Sequence, residues 1–176
     1  MSHQTVNKER RSRWAQTRVG RAIVSAYARM TGGAMAATPT LIRVGSRMHA
    51  RVVRWSRGRI GGRYVGAPVL VLATVGRHSG RRREVPVYYL RVGESFVLTA
   101  ANLGAARSPR WFENLMAAGR GEVILGRNTI AVRPRLAEGE ERERLWAELR
   151  AMYRGYDTYQ ARTERELAVV ILTPQD

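Results

Sequence analysis

The sequence predicts an α+β fold in which an antiparallel β-barrel is combined with a few helices. After Pro68 the apolar residues stop recurring at helical spacing and form short runs of β type. These runs follow one another closely, with helical segments between only some of them, whereas a parallel sheet needs a crossover helix between successive strands. The 176 residues suffice for one such domain with a single core and an appendage.

Two helices are predicted before the barrel. From Trp14 to Met30 apolar residues recur at helical spacing until Thr31-Gly32-Gly33 ends the pattern. The second helix has Thr38 as its N-cap and Pro39 at its first position, and its apolar stripe runs from Leu41 to Trp55. The opposite side of this second helix is basic and carries Arg43, Arg47, Arg51 and Arg54.

The formal charge of +17 is concentrated near the N-terminus. Residues 1–60 contain thirteen Lys or Arg residues and the single acid Glu9, so we assign them to a basic N-terminal helical extension and residues 61–176 to the barrel domain. A field of this sign attracts phosphate groups, acidic lipids and polyanionic cofactors. A neutral explanation stays open, because Lys8 is the only lysine and codon bias also produces an almost pure arginine preference.

Three strands open the barrel domain. Val69–Val75 is a continuous apolar run, which is typical of a strand buried on both faces. Gly76–Gly80 forms a turn, and Val85–Val92 is the second strand. The short Gly93-Glu94 link joins it, as a hairpin, to the third strand, Ser95–Ala101. Links this short make neighbouring strands antiparallel.

The rest of the domain mixes helices and strands. Ser108 is the predicted cap, and Pro109 the first residue, of a short helix. A later helix has an acidic first turn that suits the helix dipole, and Gly155 ends it. The predicted elements are a loop (Asn102–Ser108), a helix (Pro109–Ala118), a hairpin (Glu122–Leu125 with Thr129–Leu136), a helix (Glu140–Tyr153) and a last strand (Leu167–Leu172).

The composition excludes several kinds of chemistry. There are no cysteines, which excludes disulfides, thiolate nucleophiles and Cys-ligated zinc or iron–sulfur centres. The histidines, His3, His49 and His78, have no metal-ligand spacing, so we expect no metal site. No apolar run approaches the ~18 residues of a membrane span. Arg10-Arg11 resembles the start of a twin-arginine export signal, but in such a signal the following stretch is uncharged, whereas here arginines interrupt it. We therefore expect a cytoplasmic protein.

The segment Val75–Arg83, between the first two strands, has the composition of an anion-binding loop. Its two glycines allow a tight turn whose N–H groups face a ligand, and Ser79 adds a hydroxyl. The segment lacks P-loop spacing and no helix follows it, so nucleotide hydrolysis is not indicated. The alternative is a solvated basic turn. The guanidinium donors are Arg77, Arg81, Arg82 and Arg83.

A second candidate site is a set of three phenols at helical spacing, Tyr153, Tyr156 and Tyr159. Residues at i, i+3 and i+6 share one side of a helix. Core packing is the ordinary explanation, but Gly155 and polar neighbours within the set favour a pocket wall. Asn102, at the end of a strand, is a further catalytic candidate, although an Asn there also satisfies its own turn.

Several motifs of the barrel domain occur in a characteristic order. They are Gly76–Gly80 (GRHSG) with Arg83, then Val85–Tyr89 (VPVYY), Asn102, Pro109–Leu115 (PRWFENL), and the three tyrosines before Val169–Pro174 (VVILTP). The ordered set, over about residues 45–174, resembles the deazaflavin-dependent nitroreductase family of actinobacteria. The resemblance implies a split β-barrel of the FMN-binding type. It also implies coenzyme F420, an 8-hydroxy-5-deazaflavin, as the hydride donor to a quinone-like or nitroaromatic acceptor.

The resemblance also implies roles for individual residues. The cofactor's phosphate and acidic tail are expected to contact Arg77, His78, Ser79, Gly80 and Arg83. The deazaflavin ring is expected to lie on the strand of Pro86 and Tyr88, with its edge near Ala100, Ala101 and Asn102 and a wall supported by Trp111 and Asn114. The catalytic acceptor pocket is expected to be formed by Tyr153, Tyr156 and Tyr159, of which Tyr153 or Tyr156 donates to the developing oxyanion.

Three positions depart from the family pattern. Members commonly have Lys at the position of His78, Pro at that of Arg82 and Gly at that of Leu103. Neutral histidine weakens one phosphate contact, and we expect the charge of Arg82 to replace it. Leu103 narrows or stiffens the loop beside the ring, so it affects which acceptor is accepted.

Three other interpretations compete with or extend this one. A split barrel also commonly holds FMN, which is the alternative cofactor. A nucleic-acid-binding module uses a basic surface, but here the aromatic residues are not interleaved with the basic N-terminal run as stacking on bases requires. The basic helix, residues 39–57, either covers one end of the core or makes a peripheral contact with an anionic membrane on the inner face of the cell.

Overall fold

The computed structural model describes residues 63–64 and 67–175. The two N-terminal helices and the boundary between residues 1–60 and 61–176 lie outside these residues and stay predictions. The described strands are β1 (Arg63–Tyr64), β2 (Ala67–Val75), β3 (Arg82–Tyr88), β4 (Leu90–Val92), β5 (Ser95–Thr99), β6 (Gly121–Leu125), β7 (Asn128–Leu136) and β8 (Val169–Pro174). The described helices are a 3-10 helix (Asn102–Gly104), α1 (Arg110–Ala118), α2 (Gly139–Met152) and α3 (Gly155–Gln160).

The strands form one antiparallel sheet that is rolled up. Their order is β3-β2-β6-β7-β8-β5-β4, and the two-residue β1 also pairs with β2. β3 and β4 are at opposite edges of this order, yet only Tyr89 separates them in the chain. The two edges must therefore meet, and the sheet curls into a barrel. The predicted antiparallel barrel is confirmed.

The second predicted strand, Val85–Val92, is wrong as a single element. β3 runs from Arg82 to Tyr88 and pairs with β2, whereas β4 pairs with β5 at the other edge of the sheet. Between them the N–H of Tyr89 donates to the carbonyl of Pro68 at 3.2 Å. A continuous run of β-forming residues does not reveal a change of partner, because both halves have the same alternation.

Alternation along the strands separates two apolar surfaces. Leu70 and Leu72 of β2 belong to the same buried cluster as Phe96 and Leu98 of β5. Because these strands are far apart in the sheet, this cluster fills the barrel interior. The intervening Val71 and Ala73 therefore face outward, and they too are buried. The prediction that this strand is buried on both faces is confirmed.

The helices cover different surfaces of the barrel. Leu115 of α1 joins the interior cluster. Leu145 and Leu149 of α2 and Tyr156 of α3 belong to a second buried cluster on the outer face of β5 and β8, together with Val97 and Ile171. Arg150 of α2 forms an ion pair with Asp157 of α3, which ties these two helices together.

Two predicted helix ends are wrong. Pro109 has an extended conformation and is itself the N-cap of α1, so Ser108 does not cap this helix. Gly155 does not end α2, which stops at Met152, but opens α3. The first error is thus a shift of one residue, and the second assigns the first residue of one helix to the end of another.

Strand ends differ from the prediction by a few residues. The third strand ends at Thr99, although the N–H of Ala100 still donates to the Ala168 carbonyl at 2.9 Å. The last strand is displaced from Leu167–Leu172 to Val169–Pro174, because the N–H of Leu167 donates to the Gln160 side chain instead of a neighbouring strand. Both hairpin strands begin one residue early, at Gly121 and Asn128.

No helix in residues 63–64 and 67–175 is both long and apolar enough to cross a bilayer. In the same part of the chain no three His, Asp or Glu side chains are grouped so that they could hold a metal ion.

Candidate active site

The loop between β2 and β3 is a compact turn. Its ends are joined by the N–H of Gly76, which donates to the Arg81 carbonyl at 2.9 Å, and by the N–H of Gly80, which donates to the Gly76 carbonyl at 2.8 Å. Gly80 has a left-handed backbone with φ of +62°, and a side chain on Gly76 would come within 2.6 Å of the Ser79 hydroxyl. The backbone therefore favours glycine at position 80, as the sequence indicates, whereas a side chain at position 76 would only displace the Ser79 hydroxyl.

Helix α1 holds this loop in place. The backbone N–H of Arg77 donates to the side-chain carbonyl of buried Asn114 at 3.2 Å. The Arg77 guanidinium donates to the Glu113 carboxylate at 2.5 Å. Asn114 and Glu113 thus fix the start of the loop, and Arg77 uses its side chain for this attachment. The expected roles of Arg77 and Asn114 at the cofactor stay predictions.

The four arginines of the loop divide into two pairs. Arg77 and Arg82 are engaged by carboxylates, and Arg82 bonds both Glu84 at 3.2 Å and Glu122 at 2.6 Å. The hydrogen bond that Arg82 donates to Glu122 raises the pKa of Arg82 above its usual value. Arg81 and Arg83 are exposed and have no ion pair within the described chain. They therefore remain available to an anion, beside the exposed His78 and Ser79.

Strand β3 leads from this cationic loop (residues 76–83) to the tyrosines. Arg82 pairs with Val75 at one end of β3, and Tyr88 pairs with Val69 at the other. Six steps of strand span roughly 20 Å. Pro86 and Tyr88 share one face of β3 because they are two residues apart. The ring of Tyr88 lies 4.8 Å from that of Tyr153, centroid to centroid.

Four rings form a phenol cluster, which consists of Tyr88, Tyr153, Tyr156 and Tyr159. The Tyr153 ring lies 5.2 Å from that of Tyr156 and 6.1 Å from that of Tyr159. The hydroxyls of Tyr153 and Tyr159 are 3.1 Å apart, within hydrogen-bond distance. These separations are typical of favourable aromatic pairs. The three predicted phenols and the predicted ring-binding Tyr88 are thus brought together.

The prediction that the three tyrosines meet because they share one side of a helix is wrong. Tyr153 is not on one helix with the other two, because it caps α2 in an extended conformation with φ of −144°, whereas Tyr156 and Tyr159 belong to α3. The Tyr153 ring folds over Gly155, where a side chain would overlap it. The break between the helices, rather than helical spacing, therefore directs Tyr153 towards the other phenols.

The phenols of the cluster differ in how deeply they are buried. Tyr156 is only 3% exposed, and this burial raises its pKa well above the usual value, with a smaller opposing effect from the neighbouring Thr99 hydroxyl. Burial, followed by the hydrogen bond with Tyr153, also raises the pKa of the partly buried Tyr159. Both phenols thus stay protonated and can donate hydrogen bonds at any physiological pH.

The raised pKa of Tyr156 predicts a loss of stability in alkali. Above about pH 10 tyrosines of the unfolded chain ionise while buried Tyr156 keeps its proton, so the unfolded state binds fewer protons and the free energy of unfolding falls with pH. The contribution of Tyr156 is about 1.4 kcal/mol per pH unit in this range. The chain has seven tyrosines and one lysine, so tyrosines dominate this titration. Urea unfolding at several alkaline pH values measures the slope, and Tyr156→Phe should make it shallower. An unchanged slope in Tyr156→Phe would contradict the assignment.

The end of β5 leads into a strained turn beside the cluster. Asn102, Leu103 and Gly104 all have left-handed backbones, with φ of 48°, 57° and 80°. This conformation costs about 1–2 kcal/mol for a residue with a side chain. The Asn102 side chain donates to the Arg107 carbonyl at 2.9 Å, so in this structure it satisfies its own loop. Its expected catalytic role stays a prediction.

Arg165 holds this left-handed turn (Asn102–Gly104) from both ends. Its guanidinium donates to the carbonyls of Ala101 at 2.9 Å and Ala105 at 3.1 Å. Sequence reasoning missed Arg165, because nothing in its local segment distinguishes it from the other arginines of the chain, although in the structure it is partly buried. It also missed Gly104, where a side chain would meet the Tyr159 carbonyl at 2.5 Å.

The remaining predicted residues are buried or lie elsewhere. Ala100 is fully buried, and Ala101 packs in the same cluster as Tyr156. Trp111 packs against the interior core and lies edge-on to Phe112 at 6.1 Å. The structure thus groups Ala101 with the phenols and Asn114 with the loop, whereas Trp111 belongs to the packing of the interior core.

The residues present suit a long anionic cofactor with an aromatic ring. Arg81 and Arg83, at one end of β3, offer guanidinium groups that form no ion pair with the described residues, which matches phosphate and carboxylate groups. Tyr88 and the phenol cluster at the other end offer aromatic surface. The rolled antiparallel sheet that carries them has the architecture of the split-barrel class of proteins.

Comparison with known proteins identifies the family. Residues 45–174 match the family model of F420H2-dependent quinone reductases, and the chain belongs to this family of oxidoreductases. An F420H2-dependent quinone reductase of Mycobacterium tuberculosis is 34% identical over 131 residues, which cover 72% of this chain and 88% of the relative. The family resemblance predicted from the ordered motifs is confirmed, and F420 rather than the alternative FMN is the cofactor of the family.

Solved structures give the same result. The structure of an F420H2-dependent reductase matches with a TM-score of 0.55 and 30% sequence identity, covering 60% of this chain and 93% of that chain. A haem storage protein of Vibrio cholerae matches with a TM-score of 0.50 and 14% identity, covering 61% of this chain and 82% of its own, and shares the fold alone. The predicted split barrel is confirmed.

Proposed function

We propose that this quinone reductase binds coenzyme F420 along β3, with its acidic tail at the cationic loop and its ring beside Tyr88. The main support is the contact of Tyr88 with Tyr153, which joins the strand that begins at the loop to the phenols of α3. The length of roughly 20 Å between the two ends of β3 suits an extended cofactor rather than a compact one. The acceptor then lies between the ring and the phenol cluster.

The coenzyme supplies a hydride when it is bound. A quinone that takes up this hydride, which carries two electrons, and one proton becomes a hydroquinone. The protein contributes position, exclusion of water and hydrogen bonds to the acceptor oxygen. No nucleophile is required, in agreement with a chain that has no cysteine.

Tyr153 is the phenol best suited to the acceptor oxygen. It is partly buried and hydrogen bonded to Tyr159, whereas Tyr156 is enclosed by the core cluster. When Tyr159 donates to the oxygen of Tyr153, the proton of Tyr153 is free to point towards a ligand. A fixed donor of this kind stabilises negative charge as it develops on the acceptor.

Arg81 and Arg83 are the proposed ligands of the cofactor's anionic groups, with His78 and Ser79 beside them. Arg77 instead positions the loop, because its side chain is held by Glu113 and its backbone by Asn114. Arg82 is neutralised by Glu84 and Glu122 and contributes little field of its own. The cationic surface offered to the ligand is therefore smaller than the four arginines of the motif indicate.

The direct test is reoxidation of the reduced coenzyme. Purified protein, reduced F420 and menadione are mixed, and the absorbance of oxidised deazaflavin is followed against a reaction without protein. We expect turnover that depends on the amount of protein. Absence of protein-dependent reoxidation, in protein that binds the coenzyme, would contradict the proposal.

We also propose a peripheral contact of residues 39–57 with anionic membranes, which would bring the enzyme to lipid-soluble quinones. The support is the basic face of this predicted helix and the excess charge of residues 1–60. The test is sedimentation with anionic vesicles after Arg43, Arg47, Arg51 and Arg54 are changed to Gln. A matched control changes four exposed arginines of the barrel domain, Arg107, Arg127, Arg133 and Arg154. Equal pelleting of both variants would exclude a specific contact.

A further inference from the structure

The left-handed turn (Asn102–Gly104) contains one residue whose conformation has no local explanation. Gly104 adopts a positive φ without steric cost, and Asn102 compensates through its side-chain bond to the Arg107 carbonyl. Leu103 has φ of +57° and a side chain that makes no such bond. Its side chain is also 43% exposed, so burial in the core does not offset the strain. Strain that folding does not explain is characteristic of functional sites.

The turn is held rigidly in this conformation. Arg165 bonds the carbonyls on both sides of it, at Ala101 and Ala105. Within the turn, the N–H of Gly104 donates to the Ala101 carbonyl at 3.0 Å, and the N–H of Ala105 donates to the Asn102 carbonyl at 3.0 Å. Leu103 is therefore presented at a fixed position.

That position is beside the phenol cluster. Ala101, two residues before Leu103, packs in the cluster that contains Tyr156. Gly104, the next residue, lies against the backbone of Tyr159 so closely that no Cβ could be accommodated. The rigid turn that carries this exposed apolar side chain thus packs against the residues of the phenol cluster, which we assign to the acceptor.

We propose that Leu103 is a specificity-determining residue, which contacts the apolar tail of a quinone whose ring lies against the phenol cluster. A quinone ring satisfies the phenol hydrogen bonds, but it leaves an exposed leucine without an apolar partner. An alkyl or prenyl tail attached to the ring supplies this partner. This inference rests on the proposed function, because it takes the phenol cluster as the acceptor site.

The test compares two acceptors that share one ring. Menadione has no tail, and a naphthoquinone with a single prenyl tail has an otherwise equivalent ring. Leu103→Ala removes most of the side chain and leaves the strain, whereas Leu103→Gly removes both, so the glycine variant should fold at least as stably as the parent. The matched control is Leu136→Ala, since Leu136 is a leucine of similar exposure on β7.

In both Leu103 variants we expect the KM of the tailed quinone to rise about tenfold more than that of menadione, as loss of apolar contact with a leucine predicts. Leu136→Ala should leave the ratio of the two KM values unchanged. A second measurement needs no turnover: quenching of tryptophan fluorescence by the tailed quinone, in protein saturated with oxidised F420, should show the same loss of affinity.

Three outcomes would overturn the inference. An equal effect on both quinones would assign Leu103 to the ring, and an unchanged ratio would remove it from the acceptor site. Weaker binding of F420 with unchanged tail discrimination would place Leu103 at the coenzyme instead. The proposed function fails separately, when the parent protein reduces neither quinone although it binds the coenzyme.

Discussion

Changing Arg81 and Arg83 together to glutamine is expected to raise the dissociation constant of coenzyme F420 about 100-fold. Each guanidinium is exposed and unpaired in the described chain, so its full charge is available to a phosphate or carboxylate. A hydrogen bond between charged groups contributes roughly 1.5–3 kcal/mol, and exposure to solvent places these two near the lower value. Titration of the intrinsic tryptophan fluorescence with F420 at fixed ionic strength measures the change.

A charge-matched control distinguishes a specific contact from a general field. Arg127 and Arg133 lie on the β6–β7 hairpin and are also exposed, and their double change to Gln removes the same charge. We expect less than a threefold effect from it, because neither guanidinium belongs to the cationic loop and the field of exposed charges is screened over about 8 Å at physiological salt. Equal weakening by both double variants would show that net charge alone attracts the coenzyme.

The loop itself was predictable from the sequence because its determinants are local. Two glycines and a serine within five residues encode the turn, and the structure uses Gly76 and Gly80 as predicted. Which of its arginines bind carboxylates, and which stay available to a ligand, was not predictable. Arg77 bonds a carboxylate 36 residues away and Arg82 bonds one 40 residues away, so only the folded chain shows which guanidinium groups are neutralised.

Contacts between distant parts of the chain also determine the strand partners and the left-handed turn, and local sequence does not show them. Alternation in Val85–Val92 predicted β structure correctly, but the exchange of partners at Tyr89 follows from closure of the barrel. Arg165 reaches Ala101 across 64 residues of sequence. The order of the motifs nevertheless predicted the family. Each motif keeps the residue types that such long-range contacts require, so the ordered set reflects many of these contacts at once.

Burial distinguishes tyrosines of the phenol cluster that the sequence alone does not distinguish. Sequence reasoning treated Tyr153 and Tyr156 as equal candidates for the hydrogen-bond donor. In the structure Tyr156 packs against Trp146 at 5.9 Å and is enclosed in the core, whereas Tyr153 is only partly buried and contacts Tyr88. This difference in burial, which no local pattern reports, favours Tyr153 as the proposed donor.

Tyr153→Phe is therefore expected to lower kcat for menadione about 100-fold, near the lower limit found when one oxyanion donor is removed. The ring and its packing on Tyr88 and Tyr156 remain, so the affinity for F420 should change little. Stopped-flow measurement of coenzyme reoxidation under single-turnover conditions reports the reduction step directly.

Tyr156→Phe is the matched comparison, because it removes the same hydroxyl from a ring of the same cluster. Its phenol is buried and lies beside Thr99, so its loss should reduce stability more than turnover, with kcat falling less than about threefold. The loss of kcat in Tyr159→Phe should lie between those of Tyr153→Phe and Tyr156→Phe, since this change removes only the hydrogen-bond partner of the Tyr153 hydroxyl. If Tyr156→Phe lowered kcat as much as Tyr153→Phe, the cluster would act as one packed unit, and no single phenol could be assigned to the acceptor oxygen.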